Sequence, residues 1–234
     1  MKSLLLLSAF IFTMTLSTAS PKDQPVEKET RNLSGFTKVN FGVSGDLYIS
    51  IGSEFKVVLE GERSLLDEIE TEVSGSKLVI KKDSWHSHGN EKVTVYITMP
   101  ELTGLAVSGS GKAEIKDAVK AENIDFSVSG SGRIITADLA LGKLNVGISG
   151  SGDVVVGGSG EAASADISIS GSGNYSGETL KIASADFSIS GSGSCKCNVS
   201  DNLEASVSGS GTITYIGSPK IDARVSGSGR VKSK

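Results

Sequence analysis

Ile124-Asp125-Phe126-Ser127-Val128-Ser129-Gly130-Ser131-Gly132-Arg133-Ile134 is the stretch that decides the fold. Apolar side chains alternate with polar ones up to a Ser-Gly-Ser-Gly tetrapeptide, and a second apolar position follows it. Period two is the signature of a strand with one buried face. The tetrapeptide recurs, beginning at Ser108, Ser129, Ser149, Ser170, Ser190, Ser208 and Ser226, with spacings of 21, 20, 21, 20, 18 and 18 residues. Apolar triplets precede the copies in register, among them Leu144, Val146, Ile148; Ala185, Phe187, Ile189; and Leu203, Ala205, Val207. Each repeat therefore reads as strand, corner, strand, return.

A unit of this length with one apolar face has to stack on its neighbours to bury that face. The fold expected is all-β, a parallel β-solenoid with one coil per repeat. Its corners are Gly109 and Gly111, Gly130 and Gly132, Gly150 and Gly152, Gly171 and Gly173, Gly191 and Gly193, Gly209 and Gly211, and Gly227 and Gly229. At about 4.8 Å per coil the corners span about 29 Å. Gly and Ser make up 68 of 234 residues, a share that in an aperiodic chain would argue for disorder. Here they hold β-branched residues in register, which a linker has no reason to do.

The chain before Pro100 is less repetitive. Alternation persists in Leu47-Tyr48-Ile49-Ser50-Ile51, Phe55 to Leu59, Lys77 to Ile80 and Val93 to Thr98, with a helix or turn expected over Ser64 to Glu68. Val43-Ser44-Gly45 and Val73-Ser74-Gly75-Ser76 look like worn corners, so residues 36–100 are expected to form wider, irregular coils of the same domain, which runs over 36–234 with the regular coils at 101–234. Residues 21–35 read as a flexible lead-in. Residues 1–20, with Lys2, an apolar run from Leu4 to Leu16 and small residues at Ser17 to Ser20, read as a secretory signal peptide. Export to the periplasm, the outer surface or the medium follows, with no Cys near the cleavage point for a lipid anchor and no apolar run long enough to span a membrane.

These residues also resemble a known family. Phe36-Thr37-Lys38-Val39, Ile69-Glu70-Thr71-Glu72-Val73, Val93-Thr94-Val95-Tyr96-Ile97-Thr98-Met99-Pro100-Glu101-Leu102 and the Val-Ser-Gly-Ser-Gly coils are similar to the bacterial family called putative auto-transporter adhesin, head GIN domain. The resemblance covers nearly the whole chain after the leader. It implies an exported, envelope-associated β-helical protein with an adhesive role and without catalytic residues.

Aligning repeats on their corners gives two outward columns. One holds Gly104, Asp125, Asn145, Asp166, Asp186, Glu204 and Asp222, and the other Ala106, Ser127, Gly147, Ser168, Ser188, Ser206 and Arg224. In-register carboxylates about 4.8 Å apart repel by about 0.9 kcal/mol in water. Divalent cations such as Ca²⁺, lysines such as Lys181 and Lys220, or solvation would offset this. A solvated face that discourages edge pairing is the competing reading. The evenly repeated acids are equivalent, whereas glycosidic catalysis needs two carboxyls in unlike environments, which argues against a polysaccharide-acting enzyme.

Trp85-His86-Ser87-His88-Gly89 holds the only Trp and the only two His. An exposed Trp stacks on sugars and His-x-His chelates, so Trp85, His86 and His88 are candidate binding residues, although the loop reads equally as a connector. Cys195 and Cys197 align with Ala113 and Ile115 of an earlier coil and Ile213 and Tyr215 of a later one, so they read as buried filler. The formal charge is −4, with no basic surplus to neutralise phosphates, which argues against nucleic acid. The function expected is non-enzymatic: binding of an envelope, glycan or protein partner through a side face or loop, without a required cofactor. A scaffold role without a dedicated ligand is the alternative. The ends of the stack offer a route to self-association.

Overall fold

The computed structural model describes residues 26–82 and 92–234. The amino-terminal part contains β1 (Val26–Arg31), β2 (Lys38–Gly42), β3 (Gly45–Ile51), β4 (Lys56–Glu62), helix α1 (Arg63–Asp67), β5 (Ile69–Ser74), β6 (Lys77–Lys82) and β7 (Val93–Met99). The repeats supply β8 (Gly104–Gly109), β9 (Lys112–Ile115), β10 (Val119–Gly130), β11 (Arg133–Thr136), β12 (Leu139–Gly150), β13 (Asp153–Val156) and β14 (Gly160–Gly171). They continue through β15 (Asn174–Gly191), β16 (Ser194–Gly209), β17 (Thr212–Ile216), β18 (Lys220–Gly227) and β19 (Arg230–Ser233).

The expected parallel β-solenoid is what forms. Asp125 lies opposite Asn145, Asn145 opposite Asp166, Asp166 opposite Asp186, Asp186 opposite Glu204 and Glu204 opposite Asp222, all in parallel pairs. Inward residues such as Ile124, Phe187 and Leu203 are at most 1% exposed, while their polar neighbours face out.

Each coil has one more side than the simple repeat reading gives. The return is itself a short parallel strand, with Val119 opposite Leu139, Leu139 opposite Gly160 and Gly160 opposite Leu180. Val119 and Ile124 are both buried although they lie five positions apart, which strict alternation would put on opposite faces, so the chain switches face between them. The paired register is interrupted there, at Glu122 against Gly142 and at Gly142 against Ala163. The cross-section therefore has a long side, a side after the Ser-Gly corner and a short return side.

The corners explain the Gly requirement. Ser151, Ser172, Ser192 and Ser210 donate their backbone N–H at 2.8 Å to the carbonyls of Gly130, Gly150, Gly171 and Gly191, so corner sits directly on corner. Gly171 has φ +117°, and a Cβ there would stand 2.5 Å from the Gly150 oxygen. The second corner glycine faces inward: a Cβ on Gly173 would stand 2.5 Å from the Ile148 side chain.

The amino-terminal part departs from the expected row of wider coils in three ways. Val26–Arg31, expected to lie in a flexible lead-in, is a strand antiparallel to β4. Val73-Ser74-Gly75-Ser76 is no corner but the turn of a hairpin, in which β5 and β6 are antiparallel and Gly75 has φ +61°. The coils also stack out of chain order, because β2–β3 lies between β6–β7 on one side and β8–β9 on the other. Val43-Ser44-Gly45 is a true corner, with Ser44 Oγ 3.2 Å from Ser110 Oγ. Antiparallel β4 and β5 cover the outer edges of β7 and β6, and α1 packs Leu65 and Leu66 into the core beside them. The helix falls where the sequence placed it.

Cys195 and Cys197 are 1% and 0% exposed and unbridged, as filler should be. Burial pushes the Cys195 thiol well above its usual pKa, and Cys197 beside it adds to the shift. Tyr175 is opposite Cys195, and its buried hydroxyl has no hydrogen-bond partner among the described residues.

Two substitutions test this packing in denaturant unfolding. Gly171→Ala should lose about 2–4 kcal/mol, because it combines a left-handed backbone with a backbone clash. Tyr175→Phe removes an unpaired buried hydroxyl and should be neutral or stabilising by up to about 1 kcal/mol.

Candidate functional site

The acidic column stands on the long side as expected, but its members are not equivalent. Near the amino-terminal end it is neutralised: Asn145 Nδ2 donates to Asp125 at 2.8 Å and Lys38 Nζ lies 3.0 Å from the other carboxylate oxygen. Those hydrogen bonds, Asn145 first, outweigh partial burial and hold the Asp125 pKa below its usual value. Further along, partial burial followed by the Glu204 and Asp166 charges raises that of Asp186. Asp222 at the other end meets Arg224 at 3.3 Å on its own strand. The offset thus comes from Lys38, Asn145 and Arg224 rather than from Lys181 or Lys220. A shallow depression of about 350 Å³ runs beside Asp166, Asp186 and Glu204. Among the described residues, no three His, Cys, Asp or Glu side chains converge as a metal site. Trp85, His86 and His88 lie outside the described residues.

A site the sequence reading passed over lies on the side after the corner. Tyr48 on β3 and Tyr96 on β7 are opposite one another and stack, with ring centroids 5.6 Å apart at 25°. Both sit at the outward position between buried apolar residues, Leu47 and Ile49 for one, Val95 and Ile97 for the other. A large aromatic where the alternation calls for a polar residue was the available signal.

Lysines close the ladder at both ends. Lys28 Nζ is 5.7 Å from the Tyr96 centroid and Lys116 Nζ 4.6 Å from that of Tyr48. Lys28 pairs with Glu60 at 3.2 Å, and Lys116 with Glu114. Desolvation first, then the Glu60 carboxylate, to which the Tyr96 hydroxyl donates a hydrogen bond, raises the Tyr96 phenol pKa. A depression of about 360 Å³ opens beside the pair, lined by Lys28, Tyr48, Ser50, Lys56, Tyr96 and Thr98 among others. Lys56 has no ion-pair partner among the described residues.

The site therefore offers the Tyr48 hydroxyl, aromatic edges, two aliphatic hydroxyls and a free ammonium around a concave surface. That is the chemistry of a surface that grips a hydroxyl-rich ligand by hydrogen bonds and ring contact. The carboxylates of the acidic column are elsewhere, open and evenly spaced, and those at this site, Glu60 and Glu114, are paired with lysines.

Comparison with known proteins matches residues 35–219 to the family described as putative auto-transporter adhesin, head GIN domain. The chain belongs to this family. Its fold is shared by the crystal structure of a putative adhesin from Bacteroides fragilis, with TM-score 0.84 and 26% identity over 91% of this chain and 98% of that one. A putative adhesin from Parabacteroides distasonis has TM-score 0.75 and 20% identity over 91% and 98%. A protein from the same species, described as a putative lipid binding protein, has TM-score 0.70 and 22% identity over 89% and 96%. No curated protein matches the sequence. None of the described helices of this GIN-domain chain is long and apolar enough to cross a membrane.

Asp125 and Asp186 respond oppositely to pH. Folded Asp186 titrates above its unfolded value, so between the two the folded state holds more protons and stability falls as pH rises. Asp125 is the reverse: its contribution is present above the unfolded value and is lost as pH falls through the folded one. Asp186→Asn should thus gain about 0.5 kcal/mol at neutral pH, and Asp125→Asn lose a similar amount or less, both sites being solvent-screened. Both differences should vanish in acid, as read by thermal melts across pH.

Proposed function

We propose that this GIN-domain protein is an exported, non-catalytic binding protein of the adhesin type, and that it holds a hydroxyl-rich glycan at the Tyr48–Tyr96 face. The observation that carries this reading is the stacked pair of outward tyrosines beside a polar depression on an otherwise hydrophilic coil surface. Family membership and the adhesin-like structural relatives support the general role. The signal-peptide character of residues 1–20 supports export.

Binding would use the parts as follows. Ser50, Thr98 and Lys56 supply hydrogen-bond donors to sugar hydroxyls and the Tyr48 hydroxyl adds another, while the Tyr96 hydroxyl is held by Glu60. The rings contact the apolar C–H face of the sugar once Lys28 or Lys116 swings aside, which long flexible ammonium side chains do at small cost. The coil stack behind β3 and β7 fixes both rings, so little ordering entropy is lost on binding.

A glycan array followed by titration of the best glycan tests the proposal. Tyr48→Ala and Tyr96→Ala, each checked for an unchanged melting temperature, should weaken binding by about tenfold or more, as central aromatic anchors do. Binding by both variants within twofold of the parent protein would contradict it.

A further inference from the structure

The two ends of the solenoid are unlike. The amino-terminal end is covered by antiparallel strands and α1, whereas no described strand pairs with the free edge of β18. Ile221 and Val225 there are each 44% exposed, while Leu203 and Val207, one coil back in the same columns, are 1% exposed. The core thus ends on an open apolar cross-section with the unpaired edge of β18 along it, a surface that folded proteins cover or defend.

The sequence of β18 identifies the cover. Ile221-Asp222-Ala223-Arg224-Val225 is self-complementary about Ala223: apolar, acid, small, base, apolar. Arg224 is also the one charged residue in a column that elsewhere holds Ala106, Ser127, Gly147, Ser168, Ser188 and Ser206. That departure from the repeat falls on the uncovered edge. A second β18 laid antiparallel and centred on Ala223 sets Ile221 against Val225 on the inner face. On the outer face it sets Asp222 against Arg224, twice over by symmetry. Opposite charges directly across an antiparallel pair are favourable, and the two apolar pairs would close the core.

A parallel or shifted arrangement loses this matching. Self-pairing of the other free edge is disfavoured as well, since Arg230, Lys232 and Lys234 share one face of β19 and its continuation.

We propose that two copies of this chain join end to end through β18, antiparallel about a two-fold axis at Ala223, into a continuous core with the capped ends outermost. Which ligand the tyrosine face takes does not bear on this. If both hold, the dimer carries two binding faces and gains avidity on a repeating surface polymer.

Sedimentation velocity of the purified protein at high micromolar concentration tests it. The parent protein should run at twice the single-chain mass. Arg224→Asp and Asp222→Arg, each of which sets like charges across the axis, should run at the single-chain mass with unchanged circular dichroism. The double swap Asp222→Arg/Arg224→Asp should restore the dimer. Independently, Ala223→Cys should give a disulfide-linked dimer under oxidation, because its two copies face each other and the native cysteines are buried. A single-chain mass for the parent protein, species larger than dimers, dimeric single-charge variants, a swap that stays monomeric, or no cross-link at position 223 would each overturn the proposal.

Discussion

The structure depends on one contact repeated up the stack: the N–H of a corner serine bonded at 2.8 Å to the carbonyl of the first corner glycine one coil below. It forms only because neither glycine carries a Cβ, since the space one would need is filled by the backbone of the corner beneath. Strand pairing on its own tolerates slippage, and a slip of one residue turns every side chain to the opposite face. Fixing the end of each long strand by corner-on-corner contact removes that freedom. In-register columns follow, and with them an apolar interior without disulfides and outer faces on which any property of one coil is repeated or deliberately varied.

Variation within those columns is where function can be read. Uniform positions, such as the serines of the long side, solvate the surface. The exceptions carry information: Asn145 between acids quiets one end of the acidic column, Tyr48 and Tyr96 put rings where hydrophilic residues belong, and Arg224 replaces a small residue on the uncovered edge. The first exception concerns stability, the second recognition and the third assembly.

Most of the solenoid was legible because Ser-Gly-Ser-Gly at near-constant spacing and period-two alternation specify strand, corner and facing directly. The third side of the coil was not, since Val119 to Ala121 is too short for an alternation to show and the change of face at Glu122 looks like simple irregularity. Nor was the stacking order of β2 and β6, because an alternating strand announces a buried face but not its partner. Val73-Ser74-Gly75-Ser76 reads like a corner, yet the same residue types make a hairpin when the next strand, Lys77–Lys82, folds back on the previous one. The acidic column was visible as a column, but not the unequal environments of Asp125, held by Asn145 and by Lys38 on a strand far off in sequence, and of Asp186, set by burial and its neighbouring carboxylates. Tyr48 and Tyr96 were visible separately; that they stack depends on β7 lying beside β3 out of chain order.

Amide hydrogen exchange at the corners tests the central contact most directly. If corner-on-corner hydrogen bonds hold the register, the N–H groups of Ser151, Ser172, Ser192 and Ser210 should exchange as slowly as those of core residues such as Ile148 and Ile169, opening only with global unfolding. Exchange of these serines at the rate of an ordinary surface turn, with the strands still protected, would contradict the account.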